Sequence, residues 1–259
     1  RPPFVIHWSA RVVLSGGVLL GRSLVLRDVT AERRAQRLQE DLTHTLVHDL
    51  RNPLTSLQGA VEMLSACEPP LSERQRALFE IADRATQRML ALVNAILDVT
   101  RLEKGAMPVN PRSLELAGLV EEALTLHEHI GRQRRVELVN DVPRALPRLA
   151  ADLHLLERVL QNLVGNALKF TPDGGRVSVA AAVHVDDDAF VEVVVSDTGP
   201  GVPARVRERL FQKFVTGSSG GTGLGLAFCR LAIEAHAGRI WLGEEPGGTF
   251  IHFTLPVHA

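Results

Sequence analysis

Two apolar stripes in succession, separated by a pair of prolines, limit what this chain can fold into more than any other feature. Leu38, Leu42, Leu46, Leu50, Leu54, Leu57, Val61 and Leu64 recur at steps of three and four until Cys67-Glu68-Pro69-Pro70 stops the pattern. This spacing predicts one long amphipathic helix, with Asp28 or Thr30 as its cap and Glu32 in its first turn. A second helix is predicted from Ser72 to about Glu103, where Leu78, Ala85, Leu92 and Val99 repeat at sevenfold spacing beside Ile81, Met89 and Ile96. Gly105 and Pro108 end it. Two antiparallel helices with one seam each cannot enclose a core. The expectation is pairing with a second copy into a four-helix bundle; a hairpin packed on its own neighbouring domain is the alternative.

The remaining sequence has a different texture. Residues 11–14 and 19–27 read as two short strands joined by Ser15-Gly16-Gly17, a hairpin too small to stand alone. From Ser113 onward helical patterns (near 117–131, 152–170, 203–210 and 225–237) alternate with strand patterns (near 136–140, 176–185, 190–196, 239–242 and 249–255), the signature of a layered α+β unit. At 259 residues, 45% hydrophobic and 23% charged, the chain has room for about two globular domains. Lys plus Arg (29) balance Asp plus Glu (30), so nucleic acid and anionic membrane are not expected partners. Cys67 and Cys229 are far apart with no metal-ligand spacing, which points to a reducing, cytoplasmic setting. No apolar run approaches the roughly 18 residues of a membrane span, and this segment is expected to make no membrane contact.

Four places carry candidate chemistry. At about 100° per residue His48 lies about 200° from both Leu46 and Leu50 and faces solvent, with Asp49 beside it and Asn52 one turn on. Neutral imidazole attacks through one nitrogen while an adjacent carboxylate holds the proton on the other; one of 10 histidines on a solvated face is the plainer reading. Pro53 is expected to bend the helix there. Asn162, Asn166 and Lys169 share a helical face, where an amide oxygen suits one position of Mg2+ and Lys169 supplies a point charge for phosphate, although amides on half-exposed helices are common. After an apolar strand comes Asp197-Thr198-Gly199-Pro200-Gly201. It suits a carboxylate accepting from an exocyclic amine while glycines admit a flat base, or simply an Asx turn. Gly221-Thr222-Gly223-Leu224-Gly225 opens a helical pattern and reads as a phosphate cradle of free N–H groups or as a hinge loop. Its spacing is neither the dinucleotide fingerprint nor the lysine-containing phosphate loop.

In their order along the chain these motifs resemble those of the sensor histidine kinases of two-component signalling. His48-Asp49-Leu50-Arg51-Asn52-Pro53-Leu54 is similar to the H box, Asn162 through Lys169 to the N box, and Asp197 to Gly201 to the first glycine box. Residues 210–214 match the F box, with Lys213 at its basic position, and Gly221 to Leu226 match the second glycine box. The resemblance implies an α+β protein: a dimerising two-helix hairpin carrying the phosphoacceptor His48, then an α/β-sandwich ATP-binding domain of the gyrase, Hsp90 and MutL type. It implies that Asp197 holds the adenine amine, with Gly199 and Gly201 beside it. Asn166 would ligate Mg2+, Asn162 and Lys169 would attend the phosphates, Gly221, Thr222, Gly223, Leu224 and Gly225 would wrap them, and Lys213 would stand near the lid as a further nucleotide-binding residue. Asp49 would assist proton transfer, and Asp49 with Asn52 matches a motif for dephosphorylating the partner regulator.

The implied organisation is the end of a truncated PAS-like sensor domain at 1–30, with a membrane-proximal linker as the rival reading, a signalling helix and histidine hairpin at 31–106, and a catalytic ATP-binding domain at 107–259. The implied partners are a second copy of the chain and the receiver domain of a response regulator. One departure is the short Gly- and Ser-rich lid at 215–220, expected to be mobile without nucleotide. The alternatives are a conformational ATPase without phosphotransfer, whose relatives carry a glutamate where this chain has Asn162, and a dimeric signalling scaffold with a degenerate ATP site.

Overall fold

The computed structural model describes residues 6–15, 18–28, 54–55, 57–59, 72–185, 187–216 and 222–258. Its chain divides into two compact units, Arg1–Val93 and Asn94–Ala259. In the first, β1 (Ile6–Ser15) and β2 (Val18–Asp28) form an antiparallel hairpin running from the pair Ile6–Asp28 to Ser15–Val18, with an irregularity between Val13 and Leu14. Both strands are longer than the sequence pattern predicts, because cross-strand pairing extends regular backbone past the apolar residues. Trp8 and Leu26 are direct partners on one face, and both are exposed. Residues 54–55 and 57–59 are helical. The rest of the first predicted helix, including His48, Asp49, Asn52 and Pro53, lies outside the described residues, as does most of the short lid.

Helix α1 (Glu73–Glu103) begins at a capping box. The Gln75 N–H donates to Ser72 Oγ (3.4 Å) and the Ser72 N–H donates to Gln75 Oε1 (3.0 Å), which satisfies two backbone donors at the helix start. Leu78, Ile81, Ala85 and Met89, at steps of three and four, form an exposed apolar stripe. The helix ends where Gly105 turns to φ 61° and the N–H groups of Gly105 and Ala106 close back on Leu102 and Arg101 carbonyls. Val99, predicted on the inter-helix seam, is instead buried with Leu102 in the core of the second unit. The sevenfold repeat is therefore exposed at Leu78 and Ala85 and buried at Val99.

The second unit continues with β3 (Arg112–Leu114), α2 (Leu116–Thr125), α3 (Glu128–Arg134), β4 (Glu137–Asp141), β5 (Leu149–Ala151) and α4 (Leu153–Phe170). Then come β6 (Arg176–Val183), β7 (Phe190–Asp197), α5 (Ala204–Arg207), α6 (Gly225–Ala235), β8 (Ile240–Leu242) and β9 (Thr249–Pro256). The helix predicted over 117–131 is two helices. They part at Leu126 and His127, where the His127 ring Nδ1 bonds back to the Ala123 carbonyl at 2.9 Å. The helix predicted over 203–210 keeps only four regular residues, and the three-residue strands β3 and β5 are too short to register as a period.

The main sheet runs β4-β6-β7-β9-β8, parallel between β4 and β6 and antiparallel elsewhere. A parallel neighbour requires a crossover, and α4 supplies it. Val177, Val179, Val193, Val195, Ile251 and Phe253 alternate onto the face that meets α2, α4 and α6, and with the buried stripe of α4 they make one core. Asp152 caps α4: its carboxylate accepts the Leu155 N–H (3.2 Å) and the Asn110 N–H (3.1 Å), while its own N–H donates to His236 Nε2 (2.8 Å). Burial pushes this carboxyl up, but the N–H groups of Asn110, Leu155 and His154, helped by His236, outweigh it and hold the group below its ordinary value. Among the described residues no helix is long and apolar enough to cross a membrane.

Candidate ATP site

Helices α4 and α6 bring two distant glycine- and amide-bearing motifs together. A Cβ on Gly225, the first residue of α6, would lie 2.9 Å from Asn162 Oδ1, so only glycine lets the helix start approach the amide this closely. Asn162 Nδ2 donates to the Arg158 carbonyl one turn earlier (2.9 Å), which sets the direction of the amide. Below this junction the Arg158 guanidinium lies over the Phe228 ring of α6 (4.0 Å to its centroid) and pairs with Asp98 on α1. The Cys229 thiol, fully buried and therefore pushed well up from its ordinary pKa, points at the Val159 carbonyl (3.8 Å). Arg158, Phe228 and Cys229 thus lock the two helices in register.

Among the described residues no side chain caps α6, whose Ncap is Leu224; the Leu224 N–H reaches Thr222 Oγ1 at 3.3 Å. The first-turn N–H groups therefore carry the partial positive charge of a helix start. Gly223 has φ 67° and its carbonyl accepts the Phe214 N–H (2.9 Å), which closes the neck of the loop before α6. A Cβ on Gly223 would fall 2.6 Å from the Phe214 carbonyl carbon, and Phe214 itself sits at φ 61°, left-handed and strained for an aromatic residue. Gly221 lies outside the described residues. Asn166 is half-buried one turn past Asn162, and Lys169 is exposed with its Nζ 5.3 Å from the Phe170 ring. Among the described residues neither side chain has a hydrogen-bond or ion-pair partner. Lys213 is paired with Glu103 at the end of α1 (2.6 Å).

Asp197 ends β7 and is buried. Its Oδ1 accepts the Gly199 N–H at 2.7 Å, the Asx bond foreseen for this turn. Burial holds the carboxyl above its ordinary value, against the pull of the Gly199 N–H and of the Thr249 hydroxyl and N–H. A Cβ on Gly199 would meet Asp197 Oδ1 at 2.6 Å and the Phe170 carbonyl oxygen at 2.9 Å, so the end of α4 is pressed against the first glycine motif. Gly201 has φ 74° and faces Gly248, and a Cβ on Gly248 would run into the Asp197 carbonyl. Gly248, Thr249 and Phe170 are the wall residues that sequence reasoning missed. The pairing of Asp197 with Thr249 across β7 and β9 creates this wall, and only the Gly247-Gly248 turn signal hinted at it.

A phosphate-sized charge at the α6 start and a flat group at Asp197 fit this arrangement. Residues 151–259 match the family described as histidine kinase-, DNA gyrase B- and HSP90-like ATPase, and residues 38–105 match the His Kinase A (phospho-acceptor) domain. The chain belongs to the sensor histidine kinases of two-component signalling. The alginate biosynthesis sensor protein KinB of Pseudomonas aeruginosa is 33% identical over 98% of this chain and 43% of its own length. The adaptive-response sensory kinase SasA of Thermosynechococcus vestitus is 35% identical over 88% of this chain and 63% of its own. This histidine kinase chain therefore spans less than two thirds of these relatives. Full-length ShkA in complex with AMPPNP has a similar structure, with TM-score 0.75 and 31% identity over 85% of this chain and 46% of that one. The catalytic domain of histidine kinase ThkA (TM-score 0.52, 30% identity) covers 58% of this chain, which covers 97% of it. The kinase fold is accordingly α+β, a helical hairpin region followed by an α/β ATP-binding domain.

Proposed function

We propose that this chain is the catalytic core of a sensor histidine kinase that phosphorylates His48 with ATP and passes the phosphoryl group to an aspartate on a response-regulator receiver domain. The observation that carries this reading is the approach of Asn162 to Gly225, which sets the amide face of α4 beside the uncapped start of α6, with the buried Asp197 carboxylate at the end of β7 for the base. Asp197 accepts from the adenine amine, and Gly199 and Gly201 leave room for the ring. The N–H groups opening α6, the backbone of Gly221, Thr222, Gly223 and Leu224, and the side chains of Asn162 and Lys169 bind the phosphates. Lys213 exchanges its Glu103 partner for phosphate.

The unpartnered Asn166 amide suits one position on Mg2+, which when bound offsets phosphate charge. One ring nitrogen of His48 forms the bond to the γ-phosphorus as the bond to the bridging oxygen breaks and ADP leaves; Asp49 takes the proton from the other nitrogen. Asp49 and Asn52 also serve dephosphorylation of the regulator. By this reading 1–30 ends a sensor domain, 31–106 is the histidine hairpin and 107–259 the catalytic domain, working in the cytoplasm. The exposed stripe of Leu78, Ile81, Ala85 and Met89 supports homodimerisation through the hairpin.

Incubation with Mg-ATP labelled at the γ-phosphate tests the proposal. Acid-labile, base-stable label on the protein is expected, absent in His48→Gln and in folded Asn166→Ala. Unlabelled wild type, or undiminished label on His48→Gln, overturns the kinase reading in favour of a conformational ATPase or a scaffold.

A further inference from the structure

Arg134 closes α3 and reaches into the C-terminal end of α4 with every part of its fork. Its Nη1 donates to the Leu168 carbonyl and its Nη2 to the Thr171 carbonyl, both at 2.6 Å, while Nε donates to Asp173 Oδ1 at 2.9 Å. Its backbone carbonyl accepts the Gly174 N–H at 3.1 Å. Four bonds from one residue thus grip the seven positions from Leu168 to Gly174, including carbonyls that α4 leaves without intrahelical partners. The guanidinium is only partly exposed, with 30% of its side-chain surface accessible.

The gripped segment packs against the Asp197–Gly199 turn. Phe170, between the two anchored carbonyls, presents its own carbonyl oxygen to Gly199, where a Cβ would be 2.9 Å away. Gly175, just past the segment, packs on Thr198, where a Cβ would lie 2.6 Å from Oγ1, and that hydroxyl accepts the Arg176 N–H at 2.9 Å. Gly199 in turn donates to Asp197. A shift of the turn at 170–175 is therefore transmitted through the Phe170 carbonyl and the Thr198 side chain to Gly199 and the Asp197 carboxylate it donates to. Asn162 lies about two turns back along α4 from Phe170, and the α6 start beside it is held by separate contacts, those of Arg158, Phe228 and Cys229.

We propose that Arg134 is a positioning residue for the nucleoside half of the ATP site: it fixes the Phe170–Gly175 turn against Gly199 and so sets the geometry with which Asp197 receives the base, acting less on the phosphate half, of which only Lys169 lies within the gripped segment. This rests on the assignment of the Asp197 pocket to adenine made above. A lysine cannot replace the fork, because an ammonium cannot span two carbonyls and a carboxylate in one plane.

The test is calorimetric titration of the 259-residue chain with Mg-ADP and, separately, with Mg-tripolyphosphate, which has no base. Arg134→Ala and Arg134→Lys are each expected to weaken ADP binding about tenfold, the equivalent of one lost hydrogen bond at the base, and to weaken tripolyphosphate binding by a clearly smaller factor, about threefold at most. Retained tripolyphosphate binding also shows that the variant folds. Asp173→Ala, which removes the most exposed of the anchors, is expected to weaken ADP binding less than Arg134→Ala. Equal losses for both ligands, no loss for ADP, or full recovery in Arg134→Lys overturn the positioning role while leaving the ATP site in place. Wild-type protein that binds neither ligand overturns both readings together.

Discussion

Replacing Asp197 by asparagine changes the charge of the pocket almost without changing its shape. The carboxylate already accepts the Gly199 N–H at 2.7 Å and the two Thr249 donors, so a purine amine would add one charge-assisted bond in the remaining direction. Such a bond contributes about 1.5–3 kcal/mol, or about 10- to 150-fold in Kd. In Asp197→Asn the amide oxygen still takes the Gly199 N–H, while the amide NH2 meets the incoming amine donor to donor. Titration calorimetry at neutral pH is expected to show Mg-ADP weakened within that range and Mg-tripolyphosphate changed less than about twofold.

The pH dependence provides a second readout. Burial holds the native carboxyl above its ordinary 3.8, so the folded chain binds this proton more tightly than the unfolded chain. Its contribution to stability is full below 3.8 and is lost as pH rises through the raised native value, so the ionised group weakens the fold at neutral pH. Asparagine has no such dependence. The unfolding free energy of the variant should therefore gain on wild type as pH rises through that window, while ADP binding by wild type weakens as pH falls through it. Equal loss of ADP and tripolyphosphate, or parallel stability profiles, would refute the reasoning.

Asp152→Ala removes the cap of α4 and the tie to Asn110 and is expected to cost about 1–2 kcal/mol by urea denaturation at pH 7. Because the native Asp152 carboxyl is held below 3.8, its stabilisation is present above that value and is lost as pH falls through the native one, so the variant and wild type should converge in acid. Gly238→Ala drives a Cβ into the Thr254 carbonyl with Ile233 Cγ2 3.0 Å away, and a loss of about 1–3 kcal/mol in thermal unfolding is expected. In Cys67→Ser protein the remaining thiol, Cys229, should resist an aromatic disulfide reagent until the chain unfolds, because burial raises its pKa. Reaction at the rate of a free thiol in the native state would contradict its placement between α4 and α6.

Much of the architecture is legible from period alone. The alternation of Val191, Val193 and Val195 and the stripe from Leu155 to Leu168 each reflect a single face buried on a single core, and the structure builds β7 and α4 on them. The break at Leu126 and His127 was not legible, since apolar spacing continues across it and a ring-to-carbonyl bond interrupts the helix. β3 and β5 were invisible for the opposite reason, three residues being shorter than any reliable period. At the site, the amide face of Asn162, Asn166 and Lys169 and the Asx bond of Asp197 were readable because they are local. Thr249, Gly248 and Phe170 were not, because they reach Asp197 from strands and helices distant in sequence.

The sequence by itself determined which elements form, the order of the motifs and the residue types each needs, because helical and strand periods, caps and glycine turns act within a few residues. Only the tertiary structure decided that Asn162 meets Gly225, that Val99 enters the core of the ATP-binding unit, that Lys213 pairs with Glu103 and that Arg134 braces the wall behind Asp197. Those outcomes depend on which faces pack across long stretches of chain, and steric fit between elements, which no local pattern encodes, selects among them.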